Sequence, residues 1–266
     1  MGMFDGKTVL VSGVGKGLGR RIALAAAREG ANLALVARSE NTLEEVVREV
    51  TAESGTAESG TAIHYVADVT DEEQCQAAVD AAVQRFGRLD ALVNCAALDT
   101  VFGGLESTSS DDWYRTIEVN LLGSMRMTRS ALGPLRDHGG AVVFIGTQTT
   151  YMPPGEAPQV AYAASKSALI GAMRHLAQEV GPAGIRVNMV APGWMWGPAV
   201  EGFVGSTAKS EGISDTEVLA RITRDMPLQR MATDAEVAEA VIFLSSARAS
   251  GITGQSLLVN AGEYMH

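Results

Sequence analysis

The sequence predicts an α/β fold: a doubly wound parallel sheet with helices on both faces. Three observations predict it. Short β-rich runs alternate with longer amphipathic ones along the whole chain, which implies parallel strands joined by right-handed crossovers. Most of the β-rich runs are nearly continuous in apolar residues, as strands buried on both faces require. A glycine-rich turn, Gly13 to Gly19, follows the first run directly and opens a helix.

The elements follow in order. Lys7–Ser12 reads as the first strand and Leu18–Glu29 as the first helix. Asn32–Ala37 and Ala62–Ala67 are the next strands, with a helix over Thr42–Glu53 between them. A helix over Glu72–Phe86 leads to a strand over Asp90–Cys95, and a long helix over Asp112–Leu135 leads to Ala141–Thr147. Tyr162–Val180 is alanine-rich and helical, and Ile185–Ala191 is a strand. A helix over Asp234–Ser245 and a strand over Gln255–Val259 complete the alternation. Residues 51–62 read Thr-Ala-Glu-Ser-Gly twice and then Thr-Ala, a tandem duplication expected in a surface loop. Trp194–Pro227 matches neither period. It is long for a connection in a compact domain, so it is expected to be a lid or binding segment. No shift in composition marks a linker, so residues 1–266 are expected to form a single domain with a substrate lid at about 194–227.

Composition narrows the function classes. The 266 residues are 46% hydrophobic and 20% charged, enough for a large core. The formal net charge of −10 disfavours nucleic acid and anionic membranes as partners. Cys75 and Cys95 have no metal-ligand spacing and suggest no disulfide framework, so no metal and a reducing, cytoplasmic compartment are expected. No apolar run reaches the roughly 18 residues of a membrane span, and the first residues lack a secretory pattern.

Gly13, Gly15, Gly17 and Gly19 let backbone N–H groups approach a pyrophosphate, and the following helix N-terminus adds partial positive charge. Placed after the first strand of a βαβ unit, the turn predicts a dinucleotide site. Ser12-Gly13-x-x-x-Gly17-x-Gly19 departs from G-x-G-x-x-G and resembles the signature of the short-chain dehydrogenase/reductase family, with Ser for Thr. The resemblance runs through Asp68-Val69, Asn94-Cys95-Ala96-Ala97, Asn120, Tyr162 to Lys166, Asn188, Pro192-Gly193 and the stretch from Gly254 to Gly262. It implies a Rossmann-type sheet of about seven parallel strands with a dinucleotide over its C-terminal edge. It also implies a homo-oligomer, a tetramer or dimer, built through the helices at Asp112–Leu135 and Tyr162–Val180.

An acidic residue ending the second strand would hold a ribose 2′-hydroxyl and repel a 2′-phosphate. Here Ala37 stands at that point and Arg38 follows; Lys16, inside the glycine turn, is a second cation. A guanidinium suits a phosphate, so NADP(H) is expected in preference to NAD(H). The alternative is that both are solvated surface charges. By resemblance, Gly13, Lys16, Gly17, Leu18, Gly19, Arg38, Asp68, Val69, Asn94, Tyr162, Lys166, Pro192 and Gly193 bind the cofactor. Asp68 would contact adenine; otherwise it is a cap or turn residue before Glu72.

Tyr162 and Lys166 lie four apart and project from one helix face. An adjacent ammonium favours the phenolate, so the pair can exchange a proton near neutral pH. The resemblance makes Tyr162 the general acid/base, Lys166 its partner and a ribose ligand, and Asn120 the anchor of a water. The family's fourth member, usually serine, is replaced. Thr147 at the fifth strand's end offers an equivalent hydroxyl but lies fifteen residues before Tyr162, two more than usual. Thr149 fits the usual interval, though the strand alignment favours Thr147; either could instead cap a strand end. Gly197 replaces a common threonine, and Asn260-Ala261 replaces Asp-Gly.

Trp194, Met195, Trp196, Pro198, Val200, Phe203 and Val204 cluster after Gly193, with Tyr151-Met152 expected to face them. They suit an adaptable apolar pocket, oligomer contacts or ordinary core. The expected activity interconverts a secondary alcohol and a ketone of a bulky hydrophobic substrate. The alternative is a catalytically silent dinucleotide sensor on the same fold.

Overall fold

The computed structural model describes residues 2–53, 62–154 and 158–265, the side chains of Pro198 and Ala199 excepted. Seven strands form the central sheet: β1 Thr8–Ser12, β2 Asn32–Ala37, β3 Ala62–Val66, β4 Ala91–Asn94, β5 Gly140–Ile145, β6 Ile185–Pro192 and β9 Ser256–Val259. Their order is β3-β2-β1-β4-β5-β6-β9, and every pairing is parallel. Order reverses between β1 and β4, so the crevice beyond their C-terminal ends is the switch point where such sheets bind ligands. In the register, Ser12 stands opposite Asn94, and both turns beyond them open into that crevice.

Helices α1 Leu18–Arg28, α2 Glu40–Glu53 and α3 Glu72–Phe86 serve the first half of the sheet. α4 Ser110–Ile117, α5 Ser124–His138 and α6 Val160–Val180 belong to the second half, with α9 Asp234–Ser245 returning to pack against α1. Two apolar cores result, one on each face of the sheet. Val9, Val11, Ile22 and Val241 lie in one; Leu10, Leu92, Phe144 and Met173 lie in the other. Alternate residues of β1 thus feed opposite cores, the period-two geometry of a strand covered on both sides. Caps fix the ends. Asp71 accepts from the Gln74 backbone at the start of α3, Gly87 closes it at φ 76°, and a reciprocal Thr233–Glu236 box starts α9.

Two expectations are corrected. The long helix expected over Asp112–Leu135 is α4, a π-helical turn over Glu118–Gly123, and α5, so its hydrogen-bond register slips in the middle. The segment expected to lack regular structure, Trp194–Pro227, holds β7 Met195–Trp196, α7 Pro198–Glu211 and α8 Asp215–Thr223. β7 pairs with β8 Ala232–Thr233. This segment has a small apolar cluster of its own around Val204, Ala208 and Val218, and packs into another around Met226, Met231 and Ala261. Of the duplicated stretch, residues 51–53 end α2, residue 62 opens β3, and residues 54–61 lie outside the described residues.

Candidate active site

A cleft of about 1400 Å³ opens at the switch point. The glycine turn forms its floor. Gly13 sits at φ 92°, and a Cβ there would overlap the Ala96 backbone nitrogen. A Cβ on Gly19 would likewise overlap the Gly13 carbonyl oxygen. These two positions must be glycine for the turn to lie against both β4's exit and α1. The Gly13 and Val14 amides donate to the Val36 carbonyl at 2.8 and 3.0 Å, tying the turn to β2. No side chain caps the start of α1 at Gly17, so its first amides face the cleft. An uncapped helix start beside glycine backbone fits a dinucleotide pyrophosphate.

Most of the residues expected to hold a cofactor line this cleft: Gly13, Lys16, Gly17, Leu18, Gly19, Arg38, Asp68, Val69, Pro192 and Gly193. Tyr162, Lys166 and Thr147 line it as well. Lys16 and Arg38 are exposed, and an Arg38 Nη1 lies 3.9 Å from an Asp68 carboxylate oxygen. Ser39 and Thr42, which the sequence reading did not select, stand beside Arg38 in the wall, their hydroxyls 3.1 Å apart. Asp68 accepts from the Thr70 amide and hydroxyl at 2.9 and 2.8 Å; the cap of α3 belongs to Asp71 instead. Asn94 does not line the cleft. Its side chain turns inward and donates to Thr128 Oγ1 at 2.9 Å, holding the strand end from behind.

Tyr162 and Lys166 stand on the first turns of α6, and Thr147 lies two residues past the end of β5, which stops at Ile145. Lys166 is 1% exposed and its Nζ donates to the Ile145 carbonyl at 2.7 Å. The same Nζ lies 5.8 Å from the centre of the Tyr162 ring. Burial draws the Lys166 ammonium down to about 8, opposed by Cys95 and Asp99. Burial drives the Tyr162 phenol up from its ordinary value, and Asp99 and Cys95 push it the same way. The Thr147 hydroxyl draws it back. The expected lowering of the phenol by its lysine is therefore corrected. Desolvation outweighs the cation, whose Nζ is turned to a carbonyl.

Thr147 Oγ1 lies 3.2 Å from Thr149 Oγ1 and accepts from the Thr149 amide at 3.3 Å. Thr147 borders both the cleft and a second cavity; Thr149 borders only the second. Asn120, on the π-helical turn, is fully buried. It accepts from the Leu98 amide at 2.7 Å and donates to the Leu98 carbonyl and to Ser165 Oγ at 3.1 and 3.0 Å. It thereby clamps the loop after β4 to α6 one residue from Lys166, and borders neither cavity.

The second cavity, about 420 Å³, adjoins the first at Asp99, Thr147, Tyr162, Gly193 and Met195. Trp194, Met195, Val200, Phe203, Met152 and Phe102 form its apolar walls, and the Trp194 and Phe203 rings meet at 5.3 Å. The expected cluster therefore divides. Val204 is buried in the cluster between α7 and α8, and Trp196 is 37% exposed. Tyr151 turns away to stack on Tyr264 at 5.8 Å. Asp99, Thr100, Gln148, Gln159 and Glu263 add polar groups to the lining and were missed by the sequence reading. Only position could have signalled them, since Gln148 follows Thr147 and Glu263 lies a whole sheet away in sequence.

A family model described as enoyl-(acyl carrier protein) reductase matches residues 13–263. The chain is 34% identical over 259 residues to an L-fucose dehydrogenase of Bos taurus, covering 97% of this chain and 90% of that protein. It superposes on an NAD+-bound xylitol dehydrogenase with a TM-score of 0.87 at 29% identity, covering 97% and 99% of the two chains. It superposes on the L-sorbose reductase of Gluconobacter frateurii, complexed with NADPH and L-sorbose, with a TM-score of 0.90 at 27% identity, covering 99% and 98%.

Proposed function

Because the chain belongs to the short-chain dehydrogenase/reductase family, whose members are oxidoreductases, we propose that it interconverts a secondary alcohol and a ketone with NADP(H). One observation carries the reading: Tyr162 and Thr147 stand where the cleft joins a second, largely apolar cavity, with Lys166 beside them in the cleft wall. A nicotinamide cofactor, when bound, supplies or takes up the hydride. The chain's own residues do the rest. Gly13, Gly17, Leu18 and Gly19 would receive the pyrophosphate on backbone amides. Val69, Pro192, Gly193 and, by holding β4's end, Asn94 would shape the walls, with Asp68 at the adenine.

Arg38, with Ser39 and Thr42 beside it and Lys16 opposite, supports a 2′-phosphate and hence NADP(H) over NAD(H). The solved relatives include both an NAD+ and an NADPH complex. Tyr162 donates its phenolic proton to a ketone oxygen; in the reverse direction it first gives that proton up and then, as the phenolate, accepts the alcohol's. Thr147 holds that oxygen. Lys166, with a value near 8, is placed to feed charge and protons toward the phenol. Asn120 fixes the Leu98 loop and α6 so that this geometry persists. The apolar walls support a bulky, largely hydrophobic substrate.

The same reading takes residues 1–266 as one domain with a lid at about 194–227. It takes the protein as cytoplasmic, on its two free thiols, and as a homo-oligomer, tetramer or dimer. No helix among the described residues is long and apolar enough to cross a membrane.

The experiment is a panel of cyclic ketones and secondary alcohols assayed at the reduced-nicotinamide absorbance with NADPH and NADH. Turnover with a higher kcat/KM for NADPH is expected, and Tyr162→Phe should lose at least about a hundredfold in kcat. Near-normal turnover in that variant would refute the assignment, and a preference for NADH would end the cofactor claim. NADPH binding without any turnover across the panel would favour the silent sensor.

A further inference from the structure

The second cavity is not uniformly apolar. Glu263 enters its lining from the turn after β9, and the carboxylate is held there by a relay of amides. Gln148 Nε2 donates to Glu263 Oε2 at 2.9 Å. Gln148 Oε1 in turn accepts from Asn260 Nδ2 at 2.6 Å, and that nitrogen also donates to the Tyr264 carbonyl at 2.8 Å. Asn260 Oδ1 accepts from the Gly262 amide at 3.0 Å, which closes the turn that carries Glu263. Gln148 and Asn260 are only 4% and 6% exposed, so the relay is fixed by packing on both sides.

Two consequences follow from that geometry. Gln148 is the residue after Thr147, so the carboxylate stands at a set offset from the hydroxyl at the reacting end of the cavity. Glu263 Oε1 has no protein partner among the described residues, while Oε2 is occupied. Burial raises the Glu263 carboxyl from its ordinary value, with Asp225 adding to the effect and Gln148 opposing it. A carboxylate in a poorly solvated wall gains from any donor that replaces its water. Asp99 borders the same cavity, and no lysine or arginine does so among the described residues. An anionic substrate group entering there meets like charge and no cation.

We propose that Glu263 is a specificity-determining acceptor: it selects substrates that carry, besides the reacting carbon, a second hydrogen-bond donor, a hydroxyl or an ammonium, and turns away those that carry a carboxylate or phosphate. The proposal rests on the oxidoreductase reading above and narrows its substrate class to neutral or cationic molecules with an apolar body and a polar far end.

The test uses the full chain and four ketones of one ring size: cyclohexanone, 4-hydroxycyclohexanone, 4-aminocyclohexanone and 4-oxocyclohexanecarboxylate. The expected order of kcat/KM places the hydroxy and amino ketones above cyclohexanone and the carboxylate last. At least a tenfold gap should separate the amino ketone from the carboxylate. Glu263→Gln, isosteric and still able to accept from Gln148, should shrink that gap at least tenfold, chiefly through KM. Glu263→Asp should shrink it less. An unchanged gap in Glu263→Gln, or a wild-type preference for the carboxylate, overturns the proposal.

NADPH titration by fluorescence shows whether each variant is folded. Tryptophan fluorescence of the NADP+-bound protein, titrated with 4-aminocyclohexanone and 4-oxocyclohexanecarboxylate, reads the same selectivity in complexes that cannot turn over. Selective binding that Glu263→Gln abolishes, with no ketone reduced, upholds the proposal and sinks the oxidoreductase reading. Turnover without selectivity sinks the proposal alone.

Discussion

At the residue scale, Lys166 is a buried ammonium in the wall of the cleft. Its Nζ is enclosed, with the Ile145 carbonyl as its hydrogen-bond partner, and its ordinary value of 10.5 falls to about 8. Below that value the folded chain holds a buried charge that the unfolded chain holds in water. Between about 8 and 10.5 the unfolded state binds more protons, so stability rises with pH through that window and the penalty is gone above it. Lys166→Met should therefore stabilise the protein at pH 7 by about 2 kcal/mol, the charge penalty less one hydrogen bond, and abolish turnover. Urea unfolding at pH 7 and above pH 10 checks it. The gain should vanish at the higher pH, and a loss of stability at pH 7 would contradict the account. Identity was legible here and environment was not. Spacing on one helix face paired Tyr162 with Lys166, but which of charge and desolvation governs the phenol depends on how deeply both are enclosed, and sequence does not carry that.

At the scale of elements, the strands were the most readable parts. β-rich apolar runs marked all seven strands of the sheet, with ends displaced by a residue or two. Strand ends nevertheless matter: β5 stops at Ile145, so Thr147 stands in the following turn and can face Tyr162 from outside the sheet. The π-helical turn at Glu118–Gly123 was invisible because one shifted hydrogen bond leaves the apolar period almost intact. Helix α7 was invisible for a different reason: Gly202, Gly205 and a run of hydroxyl residues weaken both its propensity and its stripe. Helix α8 opens on a Ser214–Glu217 capping box, a short-range pattern that the search for apolar periods passes over.

The glycine turn shows how strictly an element constrains its neighbours. Gly13→Ala places a methyl against the Ala96 backbone at φ 92°. It should destabilise the protein by more than about 1 kcal/mol and weaken NADPH binding together with it. Urea unfolding and a fluorescence titration measure the two effects. A variant of normal stability and affinity would show that the turn has room the structure denies.

At the scale of the whole molecule, the acidic balance of −10 sets repulsion between copies against any apolar surface that draws them together. Tyr114 on α4 and Leu122 on the following π-helical turn are 72% and 41% exposed, on the face where the family resemblance expects subunits to meet. Light scattering should therefore return two or four times the 27.9 kDa chain mass, with association strengthening as salt screens the like charge. A mass of one chain at every salt concentration would contradict this. The switch point of the sheet could be anticipated from alternation and the glycine turn together. The polar end of the second cavity could not, because Gln148 and Glu263 come together only through the turn after β9.

The segment from β7 to β8 folds around one cluster of its own and shares a second with Ala261, and a two-rung seam laces its two ends to each other. Such a piece behaves as an interchangeable faceplate on a fixed chassis. Grafted from a relative, it should change what the second cavity accepts, while Tyr162, Lys166 and Thr147 beneath keep their alignment.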